Sequence, residues 1–144
     1  MLRATRTGII LAVSGLTLAL TACTANSVMD LEVGDCLDSE ALSGDEVSSV
    51  ETIECSEDHD AEIFGELVFD DGDYPGTDSV RTDAEAHCRD EFATFVGIDY
   101  ESSEIYFTAM YPTEQSWDQA DDRTALCVLL APENVTGSLE GAAY

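Results

Sequence analysis

The chain has 144 residues, the length of one domain, with 31 acidic residues against five arginines, no lysine and a formal net charge of −26. A surface of that sign repels nucleic-acid phosphates and anionic lipid headgroups, so it excludes nucleic acid as a partner. Cations, basic proteins or plain solubility remain as what the charge serves.

Arg3 and Arg6 precede an apolar run of about a dozen residues at 8–19, the length of a signal-peptide core and short of the ~20 residues that cross a bilayer. The run closes on Leu20-Thr21-Ala22-Cys23, with a leucine three positions before a cysteine. That is the pattern of a bacterial lipoprotein processing site. Residues 1–22 are expected to be the signal peptide, and Cys23 the lipidated first residue of a 122-residue mature chain. Two or more acyl chains, palmitate for example, anchor a protein stably where one holds it only marginally. The expected location is the extracytoplasmic face of the cell membrane, held through the lipid anchor. Residues 23–30 read as a tether reaching ~25 Å from the lipid, and residues 31–144 as the folded domain.

Every acidic residue lies after Cys23, so the mature chain sets only Arg81, Arg89 and Arg123 against 31 carboxylates, a formal charge of −28. Self-repulsion of this size weakens a small compact state that buries only about two-thirds of its surface. Cys36, Cys55, Cys88 and Cys127 supply covalent help, because four cysteines in an exported chain point to two disulfides. Three pairings exist. Cys36 with Cys55 and Cys88 with Cys127 is favoured, since each closes a local loop between expected elements. In the chain-entropy view those loops stabilise by roughly 3 and roughly 4 kcal/mol at most. No C-x-x-C or H-x3-H spacing is present, so no metal ligands and no cofactor are assigned.

In chain order, residues 31–37 read as a short strand around Gly34-Asp35, and residues 39–46 as a loop. Residues 47–55 alternate as a strand, with Val50 off register as at a bulge. Residues 61–69 alternate better, placing Ala61, Ile63, Gly65, Leu67 and Phe69 on one face. Asp70-Asp71-Gly72-Asp73-Tyr74-Pro75-Gly76 is a turn. Val80, Ala84, Cys88, Phe92 and Phe95 recur at three and four residues, the stripe of an amphipathic helix capped by Thr77 or Asp78 and ended by Gly97. Strands are expected at 105–111 and 123–131, joined by a long connection at 112–122 around Trp117, the single tryptophan. The fold class is α+β: an antiparallel sheet, one main packed helix and two disulfides.

A set of ordered motifs now stands out. Val33-Gly34-Asp35-Cys36 is followed by Ile53-Glu54-Cys55 and His59-Asp60-Ala61-Glu62. Tyr74-Pro75-Gly76 precedes the helix, Pro112 and Trp117 precede Asp122-Arg123 and Cys127, and Thr136-Gly137-Ser138-Leu139 closes the chain. The set resembles the septum formation domain family of actinobacterial envelope proteins, over nearly the whole mature chain. That family commonly has a glycine before the Asp-Arg pair, where this chain has Ala120 and Asp121. The resemblance implies a secreted or tethered domain, not an enzyme, associated with cell division or the envelope and with an envelope protein as partner.

The chemistry-bearing residues fit that reading. His59, between Asp58 and Asp60, suits a structural contact, a pH-sensitive one or a general base. No nucleophile stands in a G-x-S-x-G setting, so no catalytic residue is assigned. Trp117 and Arg123 form a second cluster, able to cover the core or to serve as a partner-binding hot spot. Candidate interaction residues are therefore His59, Asp60, Trp117 and Arg123, in a non-catalytic interaction or sensing domain. Two alternatives are an extracytoplasmic hydrolase using His59 and a calcium-binding module built on Asp70, Asp71 and Asp73. The latter trio lacks the register and distal glutamate of an EF-hand.

Overall fold

The computed structural model describes residues 26–44 and 46–144, so the expected signal peptide and the expected lipidation site Cys23 lie outside the described residues. Among the described residues seven strands are formed: β1 (Asn26–Ser27), β2 (Cys36–Leu37), β3 (Ser49–Val50), β4 (Thr52–Ile53), β5 (His59–Val68), β6 (Tyr106–Met110) and β7 (Thr124–Val135). The same residues form the α-helices α1 (Thr77–Val96) and α2 (Glu114–Ala120). The main sheet has five antiparallel strands in the order β4-β2-β5-β7-β6, and β1 pairs with β3 in a separate ribbon. The fold is α+β, and both disulfides form as expected, Cys36 with Cys55 and Cys88 with Cys127.

The sheet separates two apolar layers. On one face α1 lays Cys88, Phe92 and Val96 against Phe64, Cys127 and Leu129. On the other, Leu31, Leu37 and Val50 cover Ala61, Ile63 and Val128. Phe92 anchors an aromatic group, its ring edge-on to Phe64 at 6.1 Å and to Tyr100 at 5.1 Å. Such pairs each add about 1 kcal/mol beyond area burial. Cys88 on α1 and Cys127 on β7 are both fully buried, so this disulfide staples the helix to the sheet inside the core.

The helix stripe is Val80, Ala84, Cys88, Phe92 and Val96, with Phe95 half-buried beside it. Its N-cap is Gly76, without a side-chain cap bond, where Thr77 or Asp78 was expected. Gly97 ends it at φ 87°, a left-handed conformation that glycine adopts without penalty.

Three other expectations are corrected. In β5 the alternation breaks at Phe64. Ile63 stands opposite Val128, whereas Gly65 stands opposite Cys127, so one extra residue bulges and reverses the faces. Ala61 and Ile63 therefore look away from the helix while Gly65 and Leu67 look toward it. The expected strand 31–37 shrinks to Cys36–Leu37, because Gly34 and Asp35 bond their backbones to Ile63 as a turn. The expected strand 47–55 splits at Glu51: β3 turns to β1, β4 pairs with β2, and the off-register Val50 points into the core.

The connection 112–122 is not a plain loop but holds α2. Thr113 accepts from the Ser116 N–H, and the Ser116 hydroxyl accepts from the Thr113 N–H, a reciprocal capping box. The loop 39–46 likewise contains a short 3-10 turn, Ser39–Leu42, started by the Asp38 side chain.

Candidate functional site

β5 begins with His59-Asp60-Ala61-Glu62 at the end of the sheet where β2 and the C-terminal segment meet it. Residues three apart on a regular strand point to opposite faces. Between His59 and Ala61 the β5–β7 register slips, His59 standing opposite Val135 and Ala61 opposite Leu130, so the extra residues lie on β7. At this end of the sheet a ring nitrogen of His59, a carboxylate oxygen of Glu62 and Sγ of Cys36 nonetheless lie within 4.8 Å of one another. Both His59 and Glu62 are 1 % exposed.

Each of these side chains is held. A carbonyl can only accept, so His59 Nδ1 donates to Glu57 O at 2.8 Å, which leaves Nε2 as the unsubstituted ring atom. Among the described residues Nε2 is buried and has no hydrogen-bond partner. The Glu62 carboxylate accepts from the Ser138 hydroxyl at 2.7 Å and from the Leu139 N–H at 2.5 Å. Cys55 O accepts from the Gly137 N–H at 2.5 Å, which docks the same C-terminal turn. Asp60 points away from this pocket, accepting from both the N–H and the hydroxyl of Ser39 at 2.6 Å, and so fastens the 3-10 turn after β2.

Trp117 sits at the opposite end, on α2, and is 2 % exposed. Its Nε1 donates to Gly72 O at 2.8 Å, and its ring meets Phe69 and Tyr74 at centroid distances of 5.9 and 5.5 Å. Arg123 lies over the indole at 4.0 Å and donates to the carbonyls of Trp117 and Asp122. The pair thereby pins the acidic turn between β5 and α1 and the α2 segment together. Asp121 takes the left-handed conformation at φ 56° and ends α2. Asp70, Asp71 and Asp73 are exposed on the pinned turn. Among the described residues, the metal-capable group that converges is Cys36, His59 and Glu62.

His87 is half-buried on α1, with Nε2 unpartnered. Neither histidine opens onto the surface groove that runs between α1 and β6. That groove is lined by Thr82, Glu85, Ala86 and Arg89 on the helix and by Phe107, Thr108 and Ala109 on the strand. Among the described residues β6 pairs with β7 on one side only, which leaves its outer edge unpaired there. The fold thus brings Cys36 and Glu62 to His59, and separates Trp117 and Arg123 from them. The sequence assigned no role to Glu62 or Ser138, although the first lies in His59-Asp60-Ala61-Glu62 and the second in Thr136-Gly137-Ser138-Leu139.

Among the described residues no helix is long and apolar enough to cross a membrane. No curated protein and no solved structure matches the chain. The septum formation family matches residues 30–142, nearly all of the region that carries the sheet, the helices and both disulfides. That family is not one of known enzymes. The chain belongs to the septum formation family.

Proposed function

We propose that the protein is an extracytoplasmic lipoprotein, anchored through Cys23, whose domain acts as a non-catalytic interaction module at the cell envelope during septum formation. The observation that carries this reading is the contrast between the site and the surface. The acid-base candidate His59 is 1 % exposed, out of reach of any substrate, while the edge of β6 left unpaired among the described residues borders an open groove beside α1. An edge strand beside a helix accepts an extended peptide by backbone pairing, with the groove reading alternate side chains. Glu85 and Arg89 offset each other within the groove, so it is the formal charge of −26 on the chain that favours a partner segment carrying basic residues. The lipoprotein motif supports the tether, and because β1 is already paired from Asn26, the domain begins within three residues of Cys23 and stays close to the membrane surface.

The test places a photo-crosslinking side chain at Thr82 in the groove and, for comparison, at the exposed Val33 outside it, in growing cells. The reading predicts a discrete envelope-protein adduct from Thr82 alone, abolished when Ala86→Trp fills the groove. Equal labelling from both positions, or adducts indifferent to Ala86→Trp, would overturn it.

A further inference from the structure

The cluster at the start of β5 has a use that the interaction reading leaves untouched. A metal-ligating histidine characteristically donates its second ring N–H to a backbone carbonyl or carboxylate, which fixes the tautomer and aims the other nitrogen at the metal. His59 has that arrangement, with Nδ1 spent on Glu57 O and Nε2 buried and unpartnered. Glu62 has the matching second feature, since ligating carboxylates are themselves hydrogen-bonded. Ser138 and Leu139 hold its two oxygens, and each oxygen keeps a lone pair. Cys36 completes a group whose ligand atoms lie within 4.8 Å of one another. In the disulfide its sulfur is no thiolate, so the third ligand is withheld.

We propose that the Cys36–Cys55 disulfide gates a zinc site, and that in the dithiol form Cys36, Cys55, His59 and Glu62 bind one Zn2+ ion. Two thiolates, an imidazole and a carboxylate make a four-coordinate set that suits zinc and disfavours calcium or magnesium. Cys55, freed from the same bond, starts beside Cys36 and supplies the fourth ligand.

The two disulfides differ in access. Cys88 and Cys127 are both fully buried, whereas Cys55 is half-exposed, so a reductant reaches the Cys36–Cys55 bond first. The reductant is a dithiol of the thiol–disulfide exchange class. Its thiolate attacks Cys55 Sγ, the bond to Cys36 breaks, and Cys36 leaves as a thiolate. The reductant's second thiolate then attacks its own sulfur in the mixed disulfide and releases Cys55. Two electrons and two protons pass to the cysteine pair, and the reductant departs as a disulfide. Zinc then displaces both thiol protons on binding.

The test uses the full-length detergent-solubilised chain, reduced by a water-soluble phosphine until peptide mapping shows Cys36 and Cys55 alkylatable and Cys88 and Cys127 still linked. Cobalt is added as the spectroscopic probe. The proposal predicts one equivalent of Co2+ bound by the reduced chain, with thiolate-to-cobalt charge-transfer absorption and tetrahedral visible bands, displaced by one equivalent of Zn2+. The oxidised chain binds none. His59→Asn, checked for unchanged unfolding in the oxidised state, weakens cobalt binding about 10- to 100-fold. A reduced wild-type chain that binds no cobalt would overturn the proposal, and so would a His59→Asn chain that binds it with the same affinity and bands.

Discussion

Glu62, the fourth residue of the long strand β5, accepts a hydrogen bond from the backbone N–H of Leu139 at 2.5 Å, across 77 positions of sequence. Leu139 is buried against the helix-side core, so this one carboxylate closes the C-terminal segment over the end of the sheet. A buried charge is tolerable there because both its oxygens are occupied, one by Leu139 and the other by the Ser138 hydroxyl.

Replacing Glu62 with Gln keeps the shape, and its amide oxygen can still accept from the Leu139 N–H, but the amide nitrogen can only donate, so the Ser138 hydroxyl must turn and accept and both bonds lose their charge assistance. Glu62→Gln is expected to cost about 1 kcal/mol in urea unfolding with the disulfides intact, and to speed amide exchange at Leu139 ahead of the sheet. Unchanged stability and exchange would show that the carboxylate does not hold the segment.

Trp117 fastens two surface segments at once, through its ring contacts with Phe69 and Tyr74 and its bond to Gly72. Trp117→Ala removes a large buried ring and is expected to cost about 3–5 kcal/mol. Trp117→Phe keeps most of the ring, loses the bond to Gly72 O, and should cost about 1 kcal/mol from that source. If the two variants unfold alike, the ring is not what pins the turn.

Asp121 holds a left-handed conformation at φ 56°, and its ion pair with Arg123 is 87 % exposed on the aspartate side and therefore weak. Glycine occupies that conformation freely. Asp121→Gly is expected to raise stability by about 1 kcal/mol, read as a higher unfolding temperature. A drop in the unfolding temperature would mean that the Arg123 pair outweighs backbone strain.

Gly65 lies under the Cys88–Cys127 staple, where an added Cβ stands 3.6 Å from Cys127 Sγ and 3.8 Å from Glu91 Cβ. That is ordinary contact, so Gly65→Ala should leave stability within about 0.5 kcal/mol. A longer side chain has nowhere to go. Gly65→Leu is expected to cost about 1–3 kcal/mol or more by overpacking, and equal unfolding temperatures for the two would refute this account of the site.

The sequence revealed α1 because its apolar stripe repeats over 20 residues, and it revealed the disulfide pairs because each closes a loop between neighbouring elements. It hid α2, since seven residues give too few turns for periodicity to register. The one local signal there was the Thr113–Ser116 capping box. It also misplaced the faces of β5 after Phe64, because a bulge leaves composition untouched while reversing every later side chain. The His59 pocket was the least legible part. Cys36, Glu62 and Ser138 reach it from β2, from across a register slip, and from 76 residues beyond Glu62, and no local spacing encodes that meeting.

The proposed function stands on the tether, and the most direct test of it is the intact mass of the protein extracted from membranes by detergent. The account predicts a chain that begins at Cys23, lacks residues 1–22 and carries the added mass of two or three acyl chains on its first residue. An unacylated chain, or one that retains residues 1–22, would contradict it.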